Sequence, residues 1–191
     1  MVYLVAGLLV FLGVHSVRLM ANDWRSATMA RLGAGTWKVI YALLAVAGLV
    51  LVVWGYGLAR QQPTFLWSPV AGMRHLASLL TLIAFVLLAA AYVPRNHFKA
   101  AVHHPMLLGT IIWALAHLLA NNTVADVLLF GSFLVWASVA FAASRQRDRT
   151  QGVVYAKGSV LGTLATLLAG AVVWILFAML HGRLIGIRVF G

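Results

Sequence analysis

Long apolar runs separated by short polar segments dominate this chain. A transmembrane helix needs about 20 mainly apolar residues to cross the hydrocarbon core of a bilayer. The runs are long enough for about six such helices, and they lie near residues 2–20, 38–58, 75–93, 104–121, 124–143 and 159–181. The pattern therefore predicts an all-α integral membrane bundle that forms a single transmembrane domain over residues 1–191, with the lipid bilayer as its surroundings.

Two features refine this arrangement. The fourth and fifth runs are separated by only Asn121, Asn122 and Thr123, which predicts a tight antiparallel hairpin. The first run lacks both a basic segment before it and a small-residue cleavage site, so we interpret it as a retained helix rather than a signal peptide. We expect the host to be a bacterial cytoplasmic (inner) membrane.

The basic residues predict the orientation. A formal net charge of +11 would suggest nucleic-acid binding in a soluble protein, but here Lys and Arg lie between apolar runs, where they direct topology. The side richer in Lys and Arg faces the cytoplasm, so both termini are predicted to be periplasmic. The richer side holds Arg18, Arg25, Arg31, Lys38, Arg95, Lys99, Arg145, Arg147, Arg149 and Lys157, and the other side holds Arg60, Arg74, Arg183 and Arg188.

The inventory of reactive side chains is narrow. The sequence has no Cys, no Glu and three Asp, which excludes disulfides, thiolate ligands and sites made of paired carboxylates. Polar side chains within a membrane usually face the bundle interior and have a partner or ligand. The candidates are histidines: His15 and His117 lie within spans, His75 opens the third run, and His103 and His104 lie at the entrance of the fourth.

Neutral imidazole is a common ligand of haem iron, and a bundle can supply one from each of two helices. Trp113 lies four residues before His117, on the same helix face, where its ring can pack against a flat cofactor. A simpler alternative is that each histidine forms a hydrogen bond to a neighbouring helix. A non-haem metal site is less favoured, because the adjacent side chains of His103 and His104 point about 100° apart on a helix.

The chain resembles the NnrU family over essentially its first 145 residues. The motifs that carry the resemblance are FLGVHSVR, VVWGYGLAR, RHLA, HHPMLLGTIIWALAHLLANN and LLFGSFLVWA. That family includes bacterial membrane proteins associated with denitrification gene clusters. It is related to the plant zeta-carotene isomerase, a haem b membrane enzyme that isomerises a cis double bond.

The resemblance implies that His15 and His117 are axial ligands of haem b and that His104 takes the place of the histidine in the family's His-Pro motif. This chain differs from the isomerase at Ala114, where the isomerase has a cysteine that can replace one ligand. The predicted topology puts His15 nearer the cytoplasm and His117 nearer the periplasm, a depth difference of about 10 Å. Alternative pairings are therefore His15 with His104 or His103, and His117 with His75.

Three functions follow from these observations. The first is a haem-b-binding protein with an isomerase or redox role, acting on a hydrophobic polyene or on a nitrogen oxide. The second is a membrane methyltransferase or reductase, because HPMLLG resembles a signature of isoprenylcysteine carboxyl methyltransferases and sterol reductases. The third is a non-enzymatic electron-transfer or accessory protein of denitrification. Small-residue faces such as GAGTW and LLFGS also permit oligomers.

Overall fold

The computed structural model describes residues 1–68 and 70–186, and helices make up most of that part of the chain. An isolated antiparallel bridge joins Phe65 to Thr123. The predicted all-α class is confirmed for the described residues. Their eight helices are α1 (Val2–Met20), α2 (Asn22–Leu32), α3 (Ala34–Ala59), α4 (Met73–Tyr92), α5 (His97–Val102), α6 (Pro105–Ala120), α7 (Val124–Gln151) and α8 (Val160–Ile185).

Within the described residues, five helices are long and apolar enough to cross a membrane, namely α1, α3, α4, α7 and α8. Large apolar side chains such as Leu43, Leu161 and Leu168 are mostly exposed on them. Water would penalise this exposure, whereas lipid would not. The chain is therefore a multi-pass membrane protein.

The sixth predicted span corresponds to α6, which has only 16 residues. At 1.5 Å per residue it rises about 24 Å, against a hydrocarbon core of about 30 Å. Whether α6 crosses the membrane decides the number of spans and the side on which the C-terminus lies. Six spans and periplasmic termini therefore stay predictions. The fourth and fifth runs are separated as expected, because α6 ends at Ala120 and α7 begins at Val124.

The connections contain more helix than the apolar pattern predicted. The helices α2 and α5 lie in segments interpreted as polar connections. The residues Arg145, Arg147 and Arg149, expected in a loop, lie on the last turns of α7. The segment SRQRDRTQ lacks Gly and Pro and contains good helix formers, so the helix continues until Gly152, whose φ is +61°. The C-terminal tail with Arg188 lies outside the described residues.

The chain forms two compact units. Unit 1 comprises Met1–Leu66 and Thr123–Ser132, and unit 2 comprises Trp67–Asn122 and Phe133–Gly191. In unit 1, α1 packs against α3 so closely that a Cβ added at Gly7, Gly48 or Gly55 would overlap the backbone of the facing helix. Such close approach of backbones through small residues is typical of helices in membranes.

Unit 1 also contains a buried acid at the start of α7. The backbone N–H of Asp126 donates to Thr123 Oγ1 (3.2 Å), while Asp126 Oδ2 accepts from the backbone N–H (2.9 Å) and hydroxyl (2.6 Å) of Thr123. This reciprocal pattern is a capping box. The Tyr56 hydroxyl donates to Asp126 Oδ1 at 2.6 Å, so both carboxylate oxygens of a side chain that is 5% exposed are satisfied.

In unit 2, α4 packs against both α6 and α8. The contacts use small residues: Ala84, Ala90 and Ala114 are fully buried, and a Cβ added at Gly170 would lie 2.6 Å from Val86 Cα. Ala114, the position at which the resemblance implied a difference from the isomerase, packs here as a core residue.

A buried asparagine fixes the turn between α4 and α5. The side-chain nitrogen of Asn96 donates to the carbonyls of Ala90 (2.9 Å) and Val93 (2.6 Å), and its oxygen accepts from the backbone N–H of Lys99 (2.7 Å). The residue is 1% exposed. It thus caps the end of one helix and the beginning of the next, which places His103 and His104 directly before α6.

Candidate functional site

His15 lies on α1 in unit 1 and is partly buried. Its Nδ1 is 2.7 Å from the carbonyl oxygen of Phe11, one turn earlier on the same helix. The imidazole also contacts two aromatic rings, with centroid distances of 4.3 Å to Phe11 and 5.4 Å to Tyr41 of α3. The helix backbone and an aromatic neighbour on another helix therefore orient the ring.

His117 has the same local geometry in unit 2. Its Nδ1 is 2.8 Å from the carbonyl oxygen of Trp113, again one turn earlier. The ring of Trp113 lies 5.0 Å from that of His117, and it also meets the ring of Phe133 edge-on at 5.5 Å. A second imidazole is thus held by a backbone carbonyl beside an aromatic ring.

The hydrogen bonds determine the tautomer at both positions. A carbonyl oxygen can only accept, so Nδ1 carries the proton in each ring. In the neutral imidazole the unprotonated nitrogen is then Nε2, which is the atom that a metal takes. Histidine ligands of metals typically donate the other ring N–H to a backbone carbonyl or carboxylate in this way.

His104 lies in a different environment at the start of α6. It is the residue before helical position N1, which Pro105 occupies, and proline is favoured there because its missing N–H would have no partner anyway. Its Nε2 donates to Asp148 Oδ2 at 2.7 Å, and the hydroxyl of Tyr155 donates to the same oxygen at 2.7 Å. Here Nε2 rather than Nδ1 carries the proton, which is the reverse of His15 and His117.

Tyr155 links this cluster to the preceding residue. The ring of His103 stacks on that of Tyr155 with a centroid distance of 4.2 Å and an interplanar angle of 9°. Burial raises the pKa of Tyr155 to about 12, and the hydrogen bond and charge of Asp148 act in the same direction. His103, His104, Asp148 and Tyr155 therefore form one polar cluster, and Tyr155 stays protonated within it.

Two further histidines lie at the ends of helices. His75 is exposed on the first turn of α4. The ring of His97 contacts the hydroxyl of Thr163 on α8, with Nδ1 at 2.7 Å from Oγ1. Among the described residues, no group of three or more His, Cys, Asp or Glu side chains gathers around a point that could hold a metal ion.

The structure thus brings His103 and His104 together and places Trp113 beside His117. His15 belongs to unit 1, whereas His75, His104 and His117 belong to unit 2. The pairing of His15 with His117 on one iron, like the alternative pairing of His15 with His104, stays a prediction.

The partners of His104 could not be predicted from the sequence. Asp148 is 44 positions away and lies in a segment interpreted as a loop, and Tyr155 carried no signal of its own. The scarcity of acids was the one available clue. With three Asp in a membrane protein, each was a candidate partner for a histidine.

Comparison with known proteins identifies the family. A family model described as NnrU protein matches residues 3–189. The chain belongs to the NnrU family. The match extends past residue 145, so the last helix, α8, is part of the NnrU region although the sequence motifs did not include it. Neither a curated protein nor a solved structure matches the chain.

Proposed function

We propose that this NnrU-family membrane protein binds haem b through His15 and His117. One observation carries the proposal: both imidazoles lie in or beside apolar helical segments and donate Nδ1–H to the carbonyl four residues earlier. Histidines that ligate a metal through Nε2 typically have this arrangement, and it recurs here at two positions far apart in the sequence.

The donor set fits haem iron better than other metals. Haem needs only axial ligands, and the chain has neither Cys nor Glu to build a site for a bare metal ion. His104 is less suited to ligation through Nε2, because that nitrogen donates to Asp148. The aromatic rings of Phe11, Tyr41 and Trp113 give each candidate imidazole the apolar, flat surroundings that a porphyrin contacts.

The role proposed for the haem protein is isomerisation or redox chemistry in a bacterial cytoplasmic membrane. The proposed substrate is a hydrophobic polyene, as the resemblance to the zeta-carotene isomerase suggests, or a nitrogen oxide, as the resemblance to proteins of denitrification gene clusters suggests. Haem b would supply an iron whose reactivity depends on its axial bonds. The chain's own contribution is to orient two imidazoles through the carbonyls of Phe11 and Trp113 and to keep water away with apolar helices.

The test is haem content in single variants purified from cells supplied with a haem precursor. We expect His15→Ala and His117→Ala each to lower haem per protein several-fold, because each removes an axial donor. His181→Ala is the matched control, since it removes a histidine near the end of α8 that was not proposed as a ligand. Its haem content should equal that of the wild type.

The proposal fails if both ligand variants keep full haem with an unchanged reduced spectrum. It also fails if only His75→Ala or His104→Ala loses haem, since the ligands would then be different residues. Thermal unfolding of each purified variant separates a lost ligand from a lost fold. A ligand variant that keeps its secondary structure without haem supports direct ligation.

A further inference from the structure

A basic groove lies in unit 2, where the end of α5 and the start of α6 meet the last turns of α7. Its volume is about 610 Å³, and it is a shallow groove that is largely open to the outside. The residues that line it, and that define the basic groove below, are Ala101, Val102, Leu108, Phe141, Ala142, Arg145, Gln146 and Arg149.

The basic groove crosses the boundary between apolar and polar sequence on α7. Phe141 and Ala142 end the apolar part of that helix, and Arg145 and Arg149 follow at intervals of one turn. Residues three or four positions apart share a helix face, so the apolar and cationic side chains form one stripe. A stripe of this kind matches the level at which lipid phosphates meet acyl chains.

Contacts within the protein hold Arg145 in the groove. Its guanidinium carbon lies 6.0 Å from the centre of the Phe141 ring, and its Nη1 lies 3.5 Å from the carbonyl oxygen of Val102. The side chain is partly buried, as is usual for an arginine whose stem covers apolar surface. Arg149, one turn further along the helix, is exposed.

The charge of these two arginines is not neutralised by an acid in the described part of the chain. The contact between a basic and an acidic side chain found there joins His104 Nε2 to Asp148 Oδ2, at 2.7 Å. Asp148, the acid nearest in sequence, is also occupied by the hydroxyl of Tyr155. The carboxylate of Asp148 is thus occupied within the polar cluster. Arg145 and Arg149 remain as two cations beside apolar side chains.

We propose that the basic groove binds an anionic phospholipid, with the headgroup phosphate on Arg145 and Arg149 and one acyl chain along Leu108 and Phe141. Basic pockets between transmembrane helices on the cytoplasmic side bind anionic headgroups by this chemistry. Arginine suits a phosphate because its planar fork donates two parallel hydrogen bonds. The proposal is independent of haem binding.

The test is native mass spectrometry of the purified full chain, titrated with phosphatidylglycerol and with phosphatidylcholine of the same acyl chains. We expect the wild type to retain phosphatidylglycerol in preference, and the double variant R145Q/R149Q to bind it about tenfold more weakly. The single variant R149Q changes an exposed side chain and should give a smaller loss without disturbing the fold. R147Q is the matched control, because Arg147 donates to Ser144 and does not line the groove.

Four results would overturn the proposal. The first is equal phosphatidylglycerol binding by the wild type and by both R149Q and the double variant. The second is an equal loss in R147Q, which would mean that diffuse charge acts rather than the groove. The third is equal binding of phosphatidylcholine. The fourth is displacement of phosphatidylglycerol by glycerol phosphate at comparable concentration, which would make the groove a site for soluble phosphates.

Discussion

His15 and His117 owe their ring orientation to the helix on which each lies. The acceptor of each Nδ1–H is a backbone carbonyl one turn earlier, at Phe11 and at Trp113. Because a carbonyl is present whatever side chain occupies that position, the tautomer does not depend on a second specific residue. The sequence alone identified both histidines as polar groups in apolar spans, but the tautomer needs atomic positions.

The side-chain contacts around Asp148 could not be predicted from the sequence. The contact between His104 and Asp148 joins residues 44 positions apart, and Tyr155 lies in the connection before α8. Neither periodicity nor motif spacing reports such contacts, since they depend on how α6 begins and how α7 ends.

We expect Tyr155 to ionise near pH 12, against an ordinary pKa of 10.0. Asp148→Asn should lower this pKa toward 10, because it removes a negative charge next to the phenolate, although burial still acts. Since the folded pKa is raised, protonated Tyr155 favours the folded protein below pH 10, and that contribution is lost as the pH rises through about 12. The tyrosinate absorbance of the wild type, less that of Tyr155→Phe, measures the titration. An identical curve in Asp148→Asn would contradict the assignment.

At the scale of helices, the apolar runs located α1, α3, α4, α6, α7 and α8. The apolar runs did not predict α2 or α5, because neither of these helices contains an apolar run long enough to be recognised. The closest packing, between α1 and α3, depends on individual glycines. Their spacing is visible in the sequence, but their facing partners are not.

Gly55→Ala is expected to destabilise unit 1 by about 1–3 kcal/mol, because the added methyl overlaps the backbone of Leu4 and overpacking has costs of this size. Gly57→Ala is the control on the same helix, where an added Cβ meets nothing within 4 Å. Thermal unfolding in detergent should show a lower midpoint for the first variant and an unchanged or slightly higher midpoint for the second. Equal midpoints for the two variants would rule out close packing at Gly55.

For the whole molecule, the number and direction of crossings depend on the bilayer. Five helices meet the length of a span in the described residues, while α6 is shorter. If α6 also crosses, the number of crossings is even and both termini lie on the same side of the membrane. The distribution of Lys and Arg predicts that this side is the periplasm. The absence of cysteine makes the natural sequence a clean background for labelling.

Single cysteines placed in two connections test this orientation. Ser26 on α2 and Gln62 between α3 and α4 are both exposed. An impermeant maleimide added to intact bacterial spheroplasts should label Gln62→Cys and leave Ser26→Cys unreacted until the membrane is permeabilised. The reverse pattern would place the termini in the cytoplasm. Labelling of both cysteines from outside would mean that α3, which lies between them, does not cross the membrane.

The central claim is that this NnrU-family protein binds haem b. The most direct measurement is the visible spectrum of the wild-type protein, purified from cells supplied with a haem precursor, before and after reduction with dithionite. If His15 and His117 bind haem b, we expect a Soret band, sharp α and β bands on reduction, and a pyridine haemochrome of haem b at a fixed ratio to protein. A correctly folded preparation that shows protein absorbance alone would contradict it.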